Sequence, residues 1–173
     1  FARKIGAARD EIVPAVVAVG YPADGSRGHW IRERAGSDHR LPHDRLFFED
    51  VLDRPLLLSA AGEWADALEA VRRAPSASNK QPWRLVRSGR IWRFYLQRTK
   101  GYGKGTVTFT LMRTADLQRV DMGIAICHFD LVARERGLVG RWLVEQPAPD
   151  AGRPDVEYTA SRIAEPAEVE VDG

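Results

Sequence analysis

Two prolines in the segment APSASNKQPWR separate a helical pattern from a strand pattern. Before Pro75, residues 61–73 place apolar side chains on one stripe and acidic side chains near the N-terminal end, which predicts a helix. After Pro82, apolar and polar residues alternate with a period of two. Because proline lacks a backbone N–H and restricts the residue before it, the helix must stop at Pro75, and Gln81 is expected to be extended.

The alternation after Pro82 predicts a β-hairpin. In WRLVRSGRIWRFYLQR, two alternating runs flank the turn residues SGR. TVTFTLM, GRWLVEQ and DVEYTAS are further strand candidates, and the β-branched run at 12–19 is typical of a buried strand. Residues 46–51, which contain LFF, are expected to anchor a polar loop. Helices alternate with mostly hairpin-linked strands, so the predicted fold class is α+β.

One further helix is apolar on two faces. Its apolar residues recur at spacings of three and four and form two stripes: Leu117, Val120, Ile124, Cys127 and Leu131 in one, and Met122, Ala125, Phe129 and Ala133 in the other. Such a helix is buried between layers or lies at an interface. Gly137 is expected to end it. Packing is the expected role of Cys127 and His128, because adjacent helical residues are poorly placed to share a ligand.

The composition excludes several classes of function. The 26 basic and 24 acidic residues leave a formal charge of +2, which is too small to predict a nucleic-acid surface. The single cysteine excludes a multi-cysteine metal site and favours a reducing, cytoplasmic compartment. No apolar run approaches the roughly 18 residues of a membrane span. The chain begins at Phe1, and we expect it to be part of a longer polypeptide.

The loop between the two prolines has the composition of a binding loop. Ser76, Ser78 and Asn79 bond readily to nearby backbone and can leave main-chain N–H groups facing an anion or a heteroaromatic edge. The flanking prolines stiffen the loop, and Trp83 is expected to anchor its exit in the core. The residues alone leave two alternatives, a preorganised ligand-binding loop or a turn that satisfies its own backbone.

The segment APSASNKQPW is similar to the proline-serine-x-x-asparagine-x-glutamine-proline-tryptophan motif of the FMN-dependent nitroreductase superfamily. DMGIAICHFDLVARERGLVGRW resembles the long interface helix of that family, and AVVAVGYPADG resembles its strand and GYP turn. HRLP follows, where family members carry basic residues for the flavin phosphate. The resemblance covers nearly the whole chain. It implies nitroreductase-like α/β/α layers with a mostly antiparallel sheet and a long buried interface helix.

The order of these segments resembles a fused, TM nitroreductase-type subfamily. In other family members the PSxxN loop precedes the GYP strand, whereas here GYP and HRLP come first. In the fused subfamily, two nitroreductase-like halves lie in one polypeptide. The resemblance implies that residues 1–42 end a first half with a strand and a phosphate-contacting loop, and that residues 43–173 form a second half. The full-length protein would be a monomeric pseudo-dimer, and a fragment of it could self-associate.

The resemblance also implies which residues contact the cofactor. Arg40 would pair with the FMN phosphate, and the ribityl chain and isoalloxazine edge would be lined by Pro75, Ser76, Ala77, Ser78 and Asn79. This chain lacks the family's RRSxR-type segment, and Asp38 stands where the family has a lysine. No catalytic side chain is implied, because the flavin carries the chemistry while the protein binds and orients it. No metal is predicted.

The implied activity is hydride transfer from NAD(P)H to FMN and then reduction of a small-molecule electron acceptor such as a nitroaromatic or a quinone. Two alternatives stay open: another flavin branch such as a reductive dehalogenase, and a flavin-binding or structural module without turnover. Besides the acceptor, the implied partner is the missing N-terminal half of the same polypeptide. Neither a nucleic acid nor a membrane is predicted as a partner.

Overall fold

Two long stretches, residues 38–102 and 115–166, carry the fold. The computed structural model describes them together with residues 4–8, 10–11, 19–21, 33–34 and 36. The third predicted strand, TVTFTLM, lies outside the described residues, as does the predicted strand at 12–19 except for its last residue, Val19.

The chain divides into two compact units, Phe1–Trp30 and Ile31–Gly173. In the described part of the first unit, the Glu11 carboxylate accepts a hydrogen bond from the Ala8 N–H at 2.7 Å. The second unit holds all the helices and strands described below. A division of the chain into nitroreductase-like halves at residue 42 stays a prediction.

The second unit combines helices with a five-stranded sheet. Its elements are β1 (Phe47–Glu49), α1 (Leu58–Ala61), α2 (Ala65–Arg73), β2 (Trp83–Ser88), β3 (Ile91–Gln97), α3 (Leu117–Glu135), β4 (Gly140–Leu143) and β5 (Val156–Ala164). Short 3-10 turns lie at His43–Arg45, Gly62–Trp64 and Ala77–Asn79. The predicted hairpin after Pro82, the strands β4 and β5, and a helix end before Gly137 are confirmed.

The sheet has the strand order β1-β2-β3-β5-β4. In its described part, β1 and β2 run parallel, and the other three neighbouring pairs run antiparallel. This arrangement confirms the α+β class and the mostly antiparallel sheet. Strand β1 replaces the loop anchor that was expected at 46–51. Phe47 and Phe48 point to opposite faces and are 1% and 8% exposed, so the segment lacks the alternation that would have indicated a strand.

An aromatic cluster holds the helices against one face of the sheet. The ring of Phe129 on α3 stacks on Trp64 with 5.4 Å between centroids and meets Phe94 of β3 edge-on at 5.2 Å. Trp92 and Trp142 pack against the same ring from β3 and β4. Offset and edge-to-face contacts of this kind add to the hydrophobic stabilisation of buried rings. The cluster therefore fixes α3 relative to the strands.

Of the helix expected at 61–73, the residues Ala65–Arg73 form an α-helix. Helix α1 ends at Ala61, a 3-10 turn covers Gly62–Trp64, and α2 begins at Ala65. Gly62 has a φ of 56°, which interrupts the α-helical path in a way that glycine tolerates without steric penalty. At the end of this turn Trp64, only 4% exposed, joins the aromatic cluster.

Helix α3 buries one of its two apolar stripes. The described structure leaves Met122, Ala125, Phe129 and Ala133 each 1% exposed or less, whereas Leu117 and Val120 are 44% exposed and Leu131 is 62% exposed. Cys127 lies on the exposed stripe, so the packing role expected for it is wrong. Although α3 is 19 residues long, neither it nor another helix of the described residues is apolar enough to cross a membrane.

The two stripes of α3 predict different responses to truncation. Phe129→Ala should lower the free energy of unfolding by about 3–5 kcal/mol, because it leaves a cavity in the aromatic cluster. Leu131→Ala, two residues further on the exposed stripe, is the matched control and should change it by about 0.5 kcal/mol or less. Urea unfolding followed by circular dichroism measures both. Equal losses in the two variants would contradict the burial of one stripe alone.

Candidate functional site

The loop between Pro75 and Pro82 has a left-handed backbone at several positions. Four non-glycine residues in the described ranges have positive φ, and three of them lie here: Ser78 at 49°, Asn79 at 51° and Gln81 at 46°. Such conformations are uncommon outside glycine and store about 1–3 kcal/mol each where the surroundings hold them. The extended conformation expected for Gln81 is therefore wrong, and its side-chain bonds show what overrides the preference of a residue before proline.

The buried side chain of Gln81 ties the loop to the segment at 39–41. Its Oε1 accepts the N–H of Leu41 at 2.8 Å, and its Nε2 donates to the carbonyl oxygen of His39 at 3.2 Å. Its own N–H donates to the hydroxyl of Ser76 at 2.9 Å. At 4% exposure, an amide without these partners would be strongly unfavourable. No local pattern in the sequence indicates these hydrogen bonds of Gln81.

Main-chain donors of the loop are largely used within the chain. The N–H of Ala77 donates to Oδ1 of Asp121 on α3 at 2.9 Å. The N–H groups of Asn79 and Lys80 donate to carbonyl oxygens of Ser76 and Ala77 at 3.0 and 3.3 Å. The expectation that backbone donors face a ligand is thus wrong for these residues, because α3 and the turn itself accept their hydrogen bonds. Among the side chains of the loop, those of Ser78 and Lys80 are exposed.

Tyr102 lies next to these side chains. Its hydroxyl is 3.4 Å from the hydroxyl of Ser78, which is exposed, and the ammonium of Lys80 lies 5.5 Å from the centre of its ring. In the sequence, this residue belongs to the glycine-rich segment GYGKG. The contact places an aromatic ring and a cation beside the polar loop.

Arg40 and Asn79 lie 39 residues apart and meet directly. Nη1 of Arg40 donates to Oδ1 of Asn79 at 2.9 Å, and Nη2 donates to the carbonyl oxygen of Arg73 at 3.4 Å. Asn79 in turn donates through Nδ2 to the carbonyl oxygen of His39 at 2.8 Å. Two of the residues that the sequence singled out thus share one surface, and Pro75, Ser76, Ala77 and Ser78 lie on the same loop.

An open cleft of about 630 Å³ adjoins Arg40. It is lined by Asp38, His39, Arg40, Arg72 and Arg73. Guanidinium groups outnumber carboxylates on this lining, and arginine suits planar, bidentate recognition of phosphate or carboxylate. Arg72 and Arg73 were missed in the sequence because basic residues in the last turn of a helix are already explained by the helix dipole.

Glu69 holds the two helix arginines in place. Its carboxylate accepts hydrogen bonds from Arg72 at 2.6 and 2.7 Å and from Nε of Arg73 at 2.6 Å, and it lies 3.2 Å from Nε2 of His43. The hydrogen bond from Arg72, followed by that from Arg73, lowers the pKa of Glu69 from 4.5 to about 2 despite partial burial. Glu69 therefore stays ionised and both orients and partly neutralises the cations of the cleft.

One family model matches the chain. The family described as "Putative TM nitroreductase" matches residues 2–133. The matched region contains the cleft, the loop at 75–82 and most of α3, and it ends before β4 and β5. Searches of curated proteins and of solved structures returned no match.

The lowered pKa of Glu69 predicts an acid-dependent loss of stability. Because the pKa is lower in the folded than in the unfolded chain, the ionised carboxylate stabilises the fold. This contribution is fully present above about pH 4.5 and is lost as the pH falls towards 2. Carbon-detected NMR of the side-chain carboxyl should show the titration directly.

Glu69→Gln provides the control for that measurement. The variant has no carboxyl to titrate at this position, so its stability should decline less than that of the wild type as the pH is lowered from 4.5 to 2. Parallel declines in the two proteins would show that the arginine contacts do not stabilise the ionised form of Glu69.

Proposed function

Because the chain belongs to the family described as "Putative TM nitroreductase", we propose that it is an FMN-dependent NAD(P)H oxidoreductase. Family membership supports an oxidoreductase of nitroreductase type. The observation that carries the cofactor proposal is the contact between Arg40 and Asn79 beside the arginine cleft. This contact joins a basic surface and a polar loop. The proposed acceptor is a small molecule such as a nitroaromatic or a quinone.

The cleft residues fit a phosphate monoester. Arg40 donates hydrogen bonds to carbonyl and amide oxygens of Asn79, His39 and Arg73 among its contacts, and hydrogen bonds from arginine to a charged phosphate oxygen are stronger than those to such neutral acceptors. Arg72 and Arg73 are already bonded to Glu69, so we expect them to contribute attraction at longer range more than direct hydrogen bonds. In the proposal, Arg40 contacts the phosphate of FMN directly.

The loop side chains fit the uncharged part of the same cofactor. In the proposal the residues that line the ribityl chain and isoalloxazine edge are Pro75, Ser76, Ala77, Ser78 and Asn79. Hydroxyl and amide groups match the polar atoms of such a ligand. Because buried contacts fix the strained backbone beforehand, little conformational freedom is lost on binding. When bound, FMN would accept a hydride from NAD(P)H and pass electrons on, and the loop would orient it.

The N-terminal nitroreductase-like half of the same polypeptide would complete the site. In this proposal residues 1–42 end the first half, residues 43–173 form the second, and further phosphate contacts come from the N-terminal half of the same polypeptide. The exposed apolar stripe of α3 gives the halves a surface on which to meet, because contiguous exposed apolar surface is typical of interaction sites. The assembled protein would be a cytoplasmic, monomeric pseudo-dimer.

Arg40→Ala and Asn79→Ala should each weaken FMN binding by about 1–3 kcal/mol, the range for losing a hydrogen bond to a charged or buried group. This corresponds to a rise in Kd of about 5- to 150-fold. Quenching of flavin fluorescence during titration measures the affinity. Arg141→Ala, which removes an exposed arginine of β4, is the charge-matched control and should bind like the wild type. Unchanged affinity in both site variants would refute the assignment of these residues.

NADPH oxidation in the presence of FMN and a quinone or nitroaromatic acceptor tests the activity itself. We expect the NADPH absorbance to fall at a rate that depends on both FMN and acceptor, and to fall more slowly in Arg40→Ala at limiting FMN. Tight FMN binding without turnover would favour a flavin-binding module over an oxidoreductase. Turnover restricted to halogenated acceptors would instead favour a reductive dehalogenase.

A further inference from the structure

Asp121 is a buried acidic residue on α3 that contacts the middle of the loop. It is 2% exposed, and its Oδ1 accepts the N–H of Ala77 at 2.9 Å. The two residues are 44 positions apart in the chain. This hydrogen bond is therefore a tertiary link between the long helix and the loop at 75–82. The turn Ala77–Asn79 packs against α3 and contains no charged side chain that could face Asp121.

The second oxygen of Asp121 is buried without a partner among the described residues, and so is Oε1 of Gln118. Gln118 precedes Asp121 by one helical turn, and residues at this spacing are neighbours on the helix surface. The amide nitrogen of Gln118 donates to the hydroxyl of Thr99 at 2.9 Å, which leaves Oε1 as the unpaired end. Two neighbouring buried acceptors without a donor are strongly unfavourable.

A single proton would satisfy both oxygens. A neutral carboxylic acid has one O–H donor and still accepts through its other oxygen. Burial raises the pKa of Asp121, and the nearby charge of Asp116 adds to this, although the hydrogen bond from Ala77 opposes it. Asp116 is itself paired with Arg98 at 2.8 Å. The environment therefore raises the pKa of Asp121, which is the direction that a proton on its unpaired oxygen requires.

We propose that Asp121 is a positioning residue that sets the shape of the loop as a neutral carboxylic acid, with Oδ1 holding the N–H of Ala77 and the proton on Oδ2 shared with Gln118. Its relevance to cofactor binding rests on the proposed function, whereas the link itself does not. A neutral group also avoids placing a buried negative charge beneath a loop that is proposed to hold an anionic cofactor.

Asp121→Asn and Asp121→Ala separate the neutral from the ionised form. Asparagine keeps a carbonyl oxygen for Ala77 and places an N–H donor where the proton would be, whereas alanine removes both groups. We expect amide hydrogen exchange at Ala77 to stay within about twofold of the wild type in Asp121→Asn and to rise about tenfold or more in Asp121→Ala. Amide exchange in the β2–β3 hairpin reports the global stability of each variant, and the exchange rate at Ala77 is corrected for that stability.

The carboxyl carbon shift of Asp121 in the wild-type protein tests the protonation state without any variant, so the proposal does not depend on whether Asp121→Ala folds. A shift typical of a neutral carboxyl near neutral pH is expected, and one typical of a carboxylate would overturn the neutral form. Fast exchange at Ala77 in Asp121→Asn would overturn it as well. Unchanged exchange at Ala77 in a folded Asp121→Ala protein would overturn the positioning role.

Titration of the same variants with FMN links the proposal to the site. We expect Asp121→Asn to bind like the wild type and Asp121→Ala to bind about tenfold or more weakly, the amount that corresponds to one lost hydrogen bond. If no form of the protein binds FMN, the proposed function fails, while exchange at Ala77 and the carboxyl shift still decide whether Asp121 positions the loop. If Asp121→Ala loosens Ala77 and leaves FMN affinity unchanged, the role in cofactor binding is overturned.

Discussion

The packing of Phe129 against Trp64 and Phe94 determines where the candidate site can lie. This contact fixes the helices on the sheet, and the same core buries both ends of the loop. Ala74, just after α2, and Trp83, at the start of β2, are each 0% exposed. Because dense packing leaves neither end free to move, the residues between them span a fixed separation. The polar side chains then only decide which path the loop takes.

That path is unfavourable for the backbone and is held by a small number of polar bonds. The strain at Ser78, Asn79 and Gln81 is of the order of 1–3 kcal/mol for each residue. A single buried hydrogen bond contributes about 0.5–1.5 kcal/mol. The loop therefore needs several partners at once, and it finds them on three separate parts of the chain: the segment at 39–41, the loop's own residues and Asp121 of α3.

The sequence predicted the features that depend on local pattern. The period of two gave the hairpin β2–β3, and Pro75 and Gly137 marked the ends of two helices. Strand β1 was missed because its pairing with β2 is parallel and distant in sequence, and because both of its phenylalanines are buried. Local rules also failed at Gln81, where long-range bonds of a buried amide outweigh the preference of a residue before proline.

The sequence predicted residue types of the candidate site but not the hydrogen bonds that join them. Arg40 and Asn79 came from a family resemblance, but no spacing in the sequence indicates that the two side chains bond to each other. Asp121 likewise stands in the helical pattern of α3, and no spacing in the sequence singles it out. Its actual partner is a backbone N–H far away in the chain, and the amino-acid sequence carries no residue-type signal for such a partner.

Helix α3 connects the two surfaces on which the proposed function depends. Its inner face holds the loop through Asp121, and the neighbouring Val120 belongs to the exposed stripe on its outer face. A helix moves as a rigid body over such short distances, because its backbone bonds fix adjacent residues to one another. A partner that covers the exposed stripe would thus contact the same helix, α3, that positions the loop. Assembly of the halves and binding of the cofactor would then both depend on the position of α3. The aromatic cluster around Phe129 would determine how rigidly α3 is held against the sheet.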